Sequence, residues 1–449
     1  MSESSADVVV IGGGLSGLIA AWRLGQAGVS CFVLEAGDRL GGRVKSVKLG
    51  DCIVDTGAVA MLGSYAVMAQ MARELGLSKE LTRGTIRFGV PRNGHLHVLD
   101  TGRPAALLNT GLLSWASKWR LRKLAKPMLR LWPRMNFESI ARLTDADTET
   151  VGSFSGRELN AEIHEYLIGP LIRALWQRDP GDTPAVDLFC SLKIFAPTMF
   201  ALDAGLQRVP DALASAVRAV MGARVLSVED GPEGVRVCWN ERGEIRSKTF
   251  RQAVLAVPPL DAAALLQPRS LALQAAFAAQ PYSCSVNVHF ALSKRIGGDV
   301  LVVFPPESEA PDLTTVVFEH NKGPGRAPLG KGALSLYWRD AWSRARMDAD
   351  DESVIRDAIE QARRVVPELD ASLIEVAHVE RWPFSGVCRS VGGAAAVAEI
   401  ERAAAGFYNL ALAGDYFVLS GMNAAVVSGQ KAARTILEMR ARQAAADLP

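Results

Sequence analysis

Apolar residues come along this chain in two rhythms, and the first forty residues hold both. Asp7 is followed by Val-Val-Val-Ile11, a short β-branched run that stops at glycine and predicts a buried strand. Leu15 to Ala27 changes to a helical spacing rich in Ala and Leu, with Gly28 where a C-cap would stand. Ser30 to Leu34 is a second apolar strand, with Glu35 at its end. The order predicts a β-α-β unit and a parallel sheet. Further on, Ala253 to Val257 reads as a strand cut off by Pro258 and Pro259. Ala223 to Val228 and Val235 to Trp239 read as short strands around a GPEG turn at 231–234. Ala333 to Trp338 alternates, which aims Tyr337 and Trp338 at opposite faces. Phe407 to Ala413 is an apolar strand ending in Gly414-Asp415, and Met422 opens a helix with small residues along one side. No internal repeat interrupts the pattern. No window of about 18 apolar residues occurs, so no membrane-spanning helix is predicted.

Between the first strand and its helix lies Gly12-x-Gly14-x-x-Gly17. Gly12 suits a tight turn, Gly14 a close backbone approach to a pyrophosphate, and Gly17 close packing of helix on strand. The helix N-terminus, with Leu15 and Ser16, presents free N–H groups to phosphate. Glu35 stands 18 residues after Gly17, near the spacing for a carboxylate on a ribose hydroxyl. A dinucleotide is expected; this unit alone leaves NAD and FAD both open.

The next residues, Glu35-Ala36-Gly-Asp-Arg39-Leu-Gly41-Gly42-Arg43, set two guanidinium forks around a glycine pair, a combination suited to phosphate oxygens. This run resembles the "LEA-x-x-R-x-GGR" of the flavin-containing amine oxidase superfamily, which includes protoporphyrinogen oxidases and carotenoid-type desaturases. The C-terminal Gly414-Asp415 and the helix from Met422 resemble that family's "LAGD…AV-x-SG-x-x-AA". The resemblance implies FAD, with Asp415 on its phosphoribityl region, backbone of Met422, Asn423 and Ala424 near the ring, and Val225 touching the adenine. It also implies an α/β fold of mixed α+β content: a Rossmann-like FAD-binding domain of the glutathione-reductase type with an inserted mixed-sheet and helical substrate domain. The FAD domain would take residues 1–75, 205–270 and 385–440, the substrate domain 76–204 and 271–384, leaving a tail at 441–449. Gly205 to Pro210 resembles the family's turn back into the FAD domain. The family's Ser-Gly-Gly-Cys-Tyr attachment motif is missing, so the FAD is expected to be non-covalent.

Composition narrows the rest. A 449-residue chain with 49% hydrophobic and 22% charged residues is an ordinary folded protein, and a net charge of +2 predicts no nucleic-acid partner. Six cysteines without CxxC spacing suggest a reducing compartment and no zinc site. The N-terminus lacks a basic segment before its apolar run, which is unlike a signal peptide. A cytoplasmic protein is expected. One stretch complicates that: residues 113–134, LSWASKWRLRKLAKPMLRLWPR, carry seven basic residues and no acid from Lys118 to Arg134. A helical wheel gathers Leu121, Leu124, Met128, Leu131 and Trp132 on one side and Lys123, Lys126, Arg130 and Arg134 on the other, with a kink at Pro127. Either a peripheral membrane helix or a solvated face of the substrate domain fits.

A flavin carries its own redox chemistry, so few catalytic side chains are required. Candidates to face a substrate are Tyr337, Trp338, His320, Trp382 and Met422. His95-x-His97 has no third ligand and reads as an exposed strand, so no metal is expected. Amine oxidases resembling this chain use an aromatic cage and a lysine near the flavin; the matching positions here are Ser420 or Gly421, and Ser285. The favoured expectation is therefore an enzyme that takes a hydride from an apolar, cyclic or polyene-like substrate, with oxygen or a quinone as acceptor. The alternatives are an amine or amino-acid oxidase, and a non-catalytic prenyl- or lipid-binding protein of the same fold.

Overall fold

The structure is a computed structural model that describes residues 6–103, 105–195, 197–266 and 270–446. The first five residues, which bear on the leader reading, and residues 447–449 of the expected tail lie outside the described residues. The rest of that tail continues the helix Met422–Ala446 without a break.

A five-stranded parallel sheet is the frame. Its strand order is Ala219–Met221, Cys31–Glu35, Val8–Ile11, Gln252–Leu255, Leu410–Leu412. Strands far apart in sequence lie side by side because the inner ones are apolar runs buried on both faces, as parallel sheets require, while Ala219–Met221 at one edge is half-buried. Helix Leu15–Gln26 makes the crossover between the first two strands of the chain. It packs against helix Met422–Ala446 over Ala20, Ala21, Leu24, Ala432, Ala433 and Ile436, all essentially without solvent contact. The two helices approach so closely that a Cβ on Gly429 would land on the Ser16 carbonyl and 3.0 Å from Ile19 Cβ.

A seven-stranded mixed sheet is the second frame, in the order Ile374–Trp382, Ser285–Leu292, Gly332–Trp338, Leu313–Phe318, Val302–Val303, Arg87–Arg92, His95–Asp100. All its pairings are antiparallel except Val302–Val303 with Arg87–Arg92. The strand period of two divides its residues cleanly. Val286, Val288, Phe290, Leu334, Leu336 and Trp338 face helix Asp351–Val365 in one core. Ser285, Asn287, Thr315, Val317, Ser335 and Tyr337 fall on the opposite face, towards the rest of the molecule. The 223–241 segment forms a hairpin with Gly231 opposite Gly234, extended by Glu244–Phe250.

Residues 113–134 are not one helix. They form helix Trp115–Arg120, a 3₁₀ segment Leu121–Leu124 and helix Ala125–Leu131. Leu131 is buried, and Leu121, Leu124 and Met128 pack partly against the core. Trp132, expected on that apolar row, instead follows the end of the last helix and is 49% exposed.

The helix contact gives a stability test. Gly429→Ala should lower the melting temperature, by an overpacking cost of about 1–3 kcal/mol. Gly25→Ala lies in the same helix pair but has nothing within 4 Å of the new methyl, so it should hold or raise the melting temperature.

Candidate active site

The glycine loop after Val8–Ile11 makes a cradle whose open side is lined by backbone. Gly12 has φ +101°, and a Cβ there would meet the Ala256 carbonyl at 2.5 Å. Gly14 is the N-cap of helix Leu15–Gln26 and no side chain caps it. No atom lies within 4 Å of where its Cβ would stand. Gly14, Leu15 and Ser16 line the cavity at this uncapped helix N-terminus, an arrangement that favours an anionic ligand. The turn through Gly41 and Gly42, with φ of +107° and +54°, closes over Gly14. Gly41 N–H donates to the Gly13 carbonyl at 2.8 Å, and Arg39 braces the turn through the Leu40, Gly42 and Val44 carbonyls. Glu35 accepts from Gly13 N–H at 2.6 Å and Gly37 N–H at 2.7 Å, so its carboxylate is held at the rim.

Arg43 and Asp415 come from opposite ends of the chain and bind each other. The guanidinium donates to both carboxylate oxygens, at 2.9 and 2.8 Å, and to the Ser385 carbonyl at 2.8 Å. It also lies over the ring of Tyr282, whose hydroxyl donates to Asp415 Oδ1 at 2.5 Å. Burial alone would raise the Asp415 carboxyl; Arg43 and Tyr282 outweigh it and hold the group below the usual carboxylate range.

From the cradle a cavity of about 840 Å³ runs on into the face of the seven-stranded sheet. Its inner walls are Ile86, Leu171, Leu175, Phe195, Val302 and Phe304, with Tyr65, Tyr337 and Trp382 among its aromatic lining. At its floor sits a fully buried cluster. Asp55 accepts from Ser46 Oγ at 2.6 Å, Leu206 N–H at 2.9 Å, Arg326 at 2.8 Å and Lys322 Nζ at 3.1 Å. Lys322 also donates to Glu319 at 2.9 Å, and the Tyr337 hydroxyl donates to the Asp55 carbonyl at 3.0 Å. Burial would raise the Asp55 carboxyl, but the two cations pull it down to about 2.

Most sequence-predicted cofactor residues line this cavity: Gly12, Gly14, Leu15, Ser16, Glu35, Ala36, Arg39, Gly41, Gly42, Arg43, Val225, Gly414, Asp415 and Met422. Gly17 does not. It sits where helix meets strand, and a Cβ there would strike the Gly12 carbonyl. For Asn423 and Ala424 the expectation concerned backbone; their side chains are used elsewhere, the Asn423 amide oxygen accepting Met68 N–H at 3.3 Å and Ala424 packing in the core, while Met422 and Ala425 line the cavity. Two pocket candidates are corrected. Trp338 faces the other side of its strand and stacks on Trp342 at 4.2 Å, and His320 is buried between Ala333 and Ile296 at 3.1 and 3.2 Å. Tyr337 and Trp382 do line the cavity, and the Trp382 indole donates to the Thr56 carbonyl at 2.8 Å. Asp55, Tyr65, Tyr282 and Lys322 escaped sequence reasoning. A lone Asp, Tyr or Lys carries no spacing signal, although Asp55 in an apolar strand was a buried acid in plain view.

A profile of the family described as flavin containing amine oxidoreductase matches residues 15–437. Over 185 residues the chain is 31% identical to protoporphyrinogen oxidase 2, chloroplastic/mitochondrial, of Arabidopsis thaliana, covering 39% of this chain and 34% of that protein. Over 212 residues it is 28% identical to coproporphyrinogen III oxidase of Bacillus subtilis (strain 168), covering 44% and 42%. The matches thus span about a third to two fifths of these relatives' length. Cyclohexylamine oxidase from Brevibacterium oxydans IH-35A superposes with a TM-score of 0.75 at 18% identity, covering 96% of this chain and 99% of that one, a likeness of fold.

Two experiments probe the site. Glu35→Ala and Asp415→Ala should each lower the ratio of flavin absorbance to protein absorbance after purification; unchanged flavin would remove that residue from the cofactor's contacts. Asp55→Asn should cost about 3–5 kcal/mol in denaturant unfolding, because Lys322 and Arg326 lose a buried partner. Asp55 has a folded-state value below its ordinary one, so its contribution is complete above about pH 4 and fades as the pH falls towards 2. The asparagine variant should lack that part of the acid dependence.

Proposed function

This chain belongs to the flavin-containing amine oxidoreductase family, and we propose that it uses FAD to dehydrogenate an apolar, cyclic or polyene-like substrate, leaving a new double bond. It is a flavin-dependent oxidoreductase. The observation that carries the finer reading is the join between cradle and chamber. One continuous cavity passes from helix N-terminus and glycine turn to walls made of Ile86, Leu171, Phe195, Leu301 and Phe304. Such walls favour a hydrocarbon skeleton. Positions 420 and 421, where an amine-binding aromatic would stand, are Ser and Gly, and both lie on the cavity.

Bound in the cradle, FAD supplies the hydride acceptor. The chain's part is to hold and shield. The Leu15 and Ser16 end of the helix and the Gly41-Gly42 turn would take the pyrophosphate, Glu35 a ribose hydroxyl, and Asp415 the ribityl side. Arg43 keeps the Asp415 carboxylate charged and in place. We further propose that residues 1–75, 205–270 and 385–440 act as the FAD unit and 76–204 with 271–384 as the substrate unit. In support, the chamber walls named above all come from the second set. Non-covalent FAD is proposed as well: among the described residues no cysteine lines the cavity, and the Cys388 thiol instead donates to the Trp176 carbonyl at 3.5 Å. Oxygen or a quinone would reoxidise the flavin.

Peripheral docking on an anionic membrane is the second part of the proposal. Trp115, Trp119 and Leu129 are 73%, 69% and 77% exposed, and Lys118 and Arg122 lie over the two indole rings. Arg120, Lys123, Lys126 and Arg130 are exposed around them. No helix among the described residues is long and apolar enough to cross a membrane. Apolar rings ringed by cations suit the lipid headgroup layer.

The protein should purify yellow, and its flavin should bleach anaerobically with reduced tetrapyrrole or polyene precursors but not with simple amines. Bleaching by amines alone would replace this reading with amine oxidation. Trp115→Ala with Trp119→Ala should cut cosedimentation with phosphatidylserine vesicles at least ~10-fold without changing bleaching; equal sedimentation would end the docking proposal.

A further inference from the structure

Helix Gly169–Trp176 presents Leu171, Ala174 and Leu175 to the cavity, one face at helical spacing. A further turn would bring residue 178 to that face. Instead the chain turns left-handed at Gln177, with φ +56°, and Gln177 itself lines the cavity. The Arg178 guanidinium is drawn off to the Cys388 and Arg389 carbonyls, at 2.9 and 3.3 Å. Glycine or asparagine is the usual residue at such a helix end, because other side chains are strained there. The backbone is fixed from both sides: Gln177 N–H donates to the Arg173 carbonyl and its own carbonyl accepts from Asp340 N–H, each at 2.9 Å. A strained glutamine held on a cavity wall directs attention to its side chain.

That side chain is tied to uncharged groups. Its Nε2 donates to Ser285 Oγ at 2.9 Å, and its Oε1 accepts from Ser283 Oγ at 3.1 Å. Ser285 Oγ donates to Asn287 Oδ1, Asn287 Nδ2 donates to the Thr56 carbonyl at 3.1 Å, and Ser283 Oγ accepts from Gly386 N–H at 3.2 Å. Gln177, Ser283 and Asn287 all line the cavity. The carboxylates that line it stand at its rim or are committed: Asp38 and Asp261 are exposed, Glu35 is held by Gly13 and Gly37, and Asp415 is paired with Arg43. Asp55 and Glu319 are paired with Lys322. A cation in the chamber would meet rings such as Trp382 but, among the described residues, no carboxylate lining the wall around Gln177. Burying a charge without a counter-ion is costly.

We infer that Gln177 is the specificity residue that makes the chamber select uncharged substrates over ammonium-bearing ones: its neutral amide holds the place on the wall from which a single carboxylate would capture a cation. This rests on the reading of the chamber as the place of an apolar substrate, and it names the side chain that keeps that chamber neutral. Glutamate has the same shape. Ser283 already donates to this side chain, and the Ser285 hydroxyl could turn from Asn287 to do likewise. A carboxylate here would therefore keep two donors, and its field would act across several ångströms of weakly screening protein without touching the ligand.

Three probes of one skeleton test this by calorimetric titration of the FAD-loaded protein at about pH 8, where a carboxyl raised by partial burial is still ionised: indane, 2-aminoindane and indane-2-carboxylate. The unaltered protein should bind indane tighter than the amine. In Gln177→Glu the amine should gain about 10- to 100-fold, the worth of a charge-assisted hydrogen bond, while the carboxylate weakens and indane changes little. A mere change of shape would move all three together. Where Gln177→Glu does not retain FAD, Gln177→Asp carries the same charge and the same expectation on a residue type that accepts the left-handed turn more readily. Parallel shifts of the three probes, or no gain for the amine, overturn Gln177 as the selector and leave the apolar-substrate reading in place. Amine bound tighter than indane by the unaltered protein overturns both. Failure of indane to bind the unaltered protein removes the chamber as an apolar substrate site, and the selector with it.

Discussion

Asp55 holds together the parts of this protein that have to meet. Its carboxylate and carbonyl, without solvent contact, receive hydrogen bonds from the turn at 205–207, from the loop carrying Lys322 and Arg326, and from Tyr337 on the seven-stranded sheet. Those groups come from three separate stretches of chain. A buried carboxylate is costly by itself, so the fold is committed to bringing both cations and the Leu206 N–H to it. Glu319 balances the second cation. The result is a rigid joint between the cradle side and the chamber side, placed at the floor of the cavity both share. A cavity whose two halves could slide would not hold a reacting carbon against a cofactor.

The cradle obeys a different rule, that of close approach. Gly12, Gly41 and Gly42 adopt positive φ, Gly429 lets two helices touch, and Gly14 leaves open space in front of a helix N-terminus. Each glycine removes atoms where a ligand or another backbone must come near. Arg43 and Asp415 then close the ring between the chain's two ends. Their pairing changes the role each side chain can play. The carboxylate stays charged although buried, and the guanidinium is a brace before it is a ligand.

The chamber joins these two solutions. Alternation along Leu313–Phe318 and Gly332–Trp338 sends one set of side chains to a closed core and the other to the cavity, so a single strand supplies both stability and specificity. Apolar walls dominate, and the Lys322 ammonium on them is paired with Asp55 and Glu319. Outside, the tryptophans at 115 and 119 place a second apolar surface on the same half of the chain.

Much of this was legible before any coordinates. The β-branched run at 8–11, the glycines at 12, 14 and 17, Glu35, the Arg-Gly-Gly-Arg turn and the Gly414-Asp415 strand end are local patterns, and local patterns survive in one dimension. The alternation at 333–338 even separated Tyr337 from Trp338, though not which of them would face the cavity. What the amino-acid order could not supply was partnership across distance. Asn423 and Ala424 were placed by position in a motif, which says nothing of their side chains: one meets Met68 and the other the core. His320 and Trp338 were chosen by residue type, and packing took them into the core. Trp132 was assigned to an apolar row that the broken helix does not continue. The sequence by itself determined the dinucleotide cradle, because that depends on backbone freedom and short-range spacing, and its resemblance to a known family in the run from Glu35 to Arg43 implied FAD. Only the tertiary structure decided that Arg43 belongs to Asp415, that Asp55 gathers Lys322 and Arg326, and that Tyr337 is the one of its pair to face the cavity, because burial and charge balance are settled between residues hundreds of positions apart.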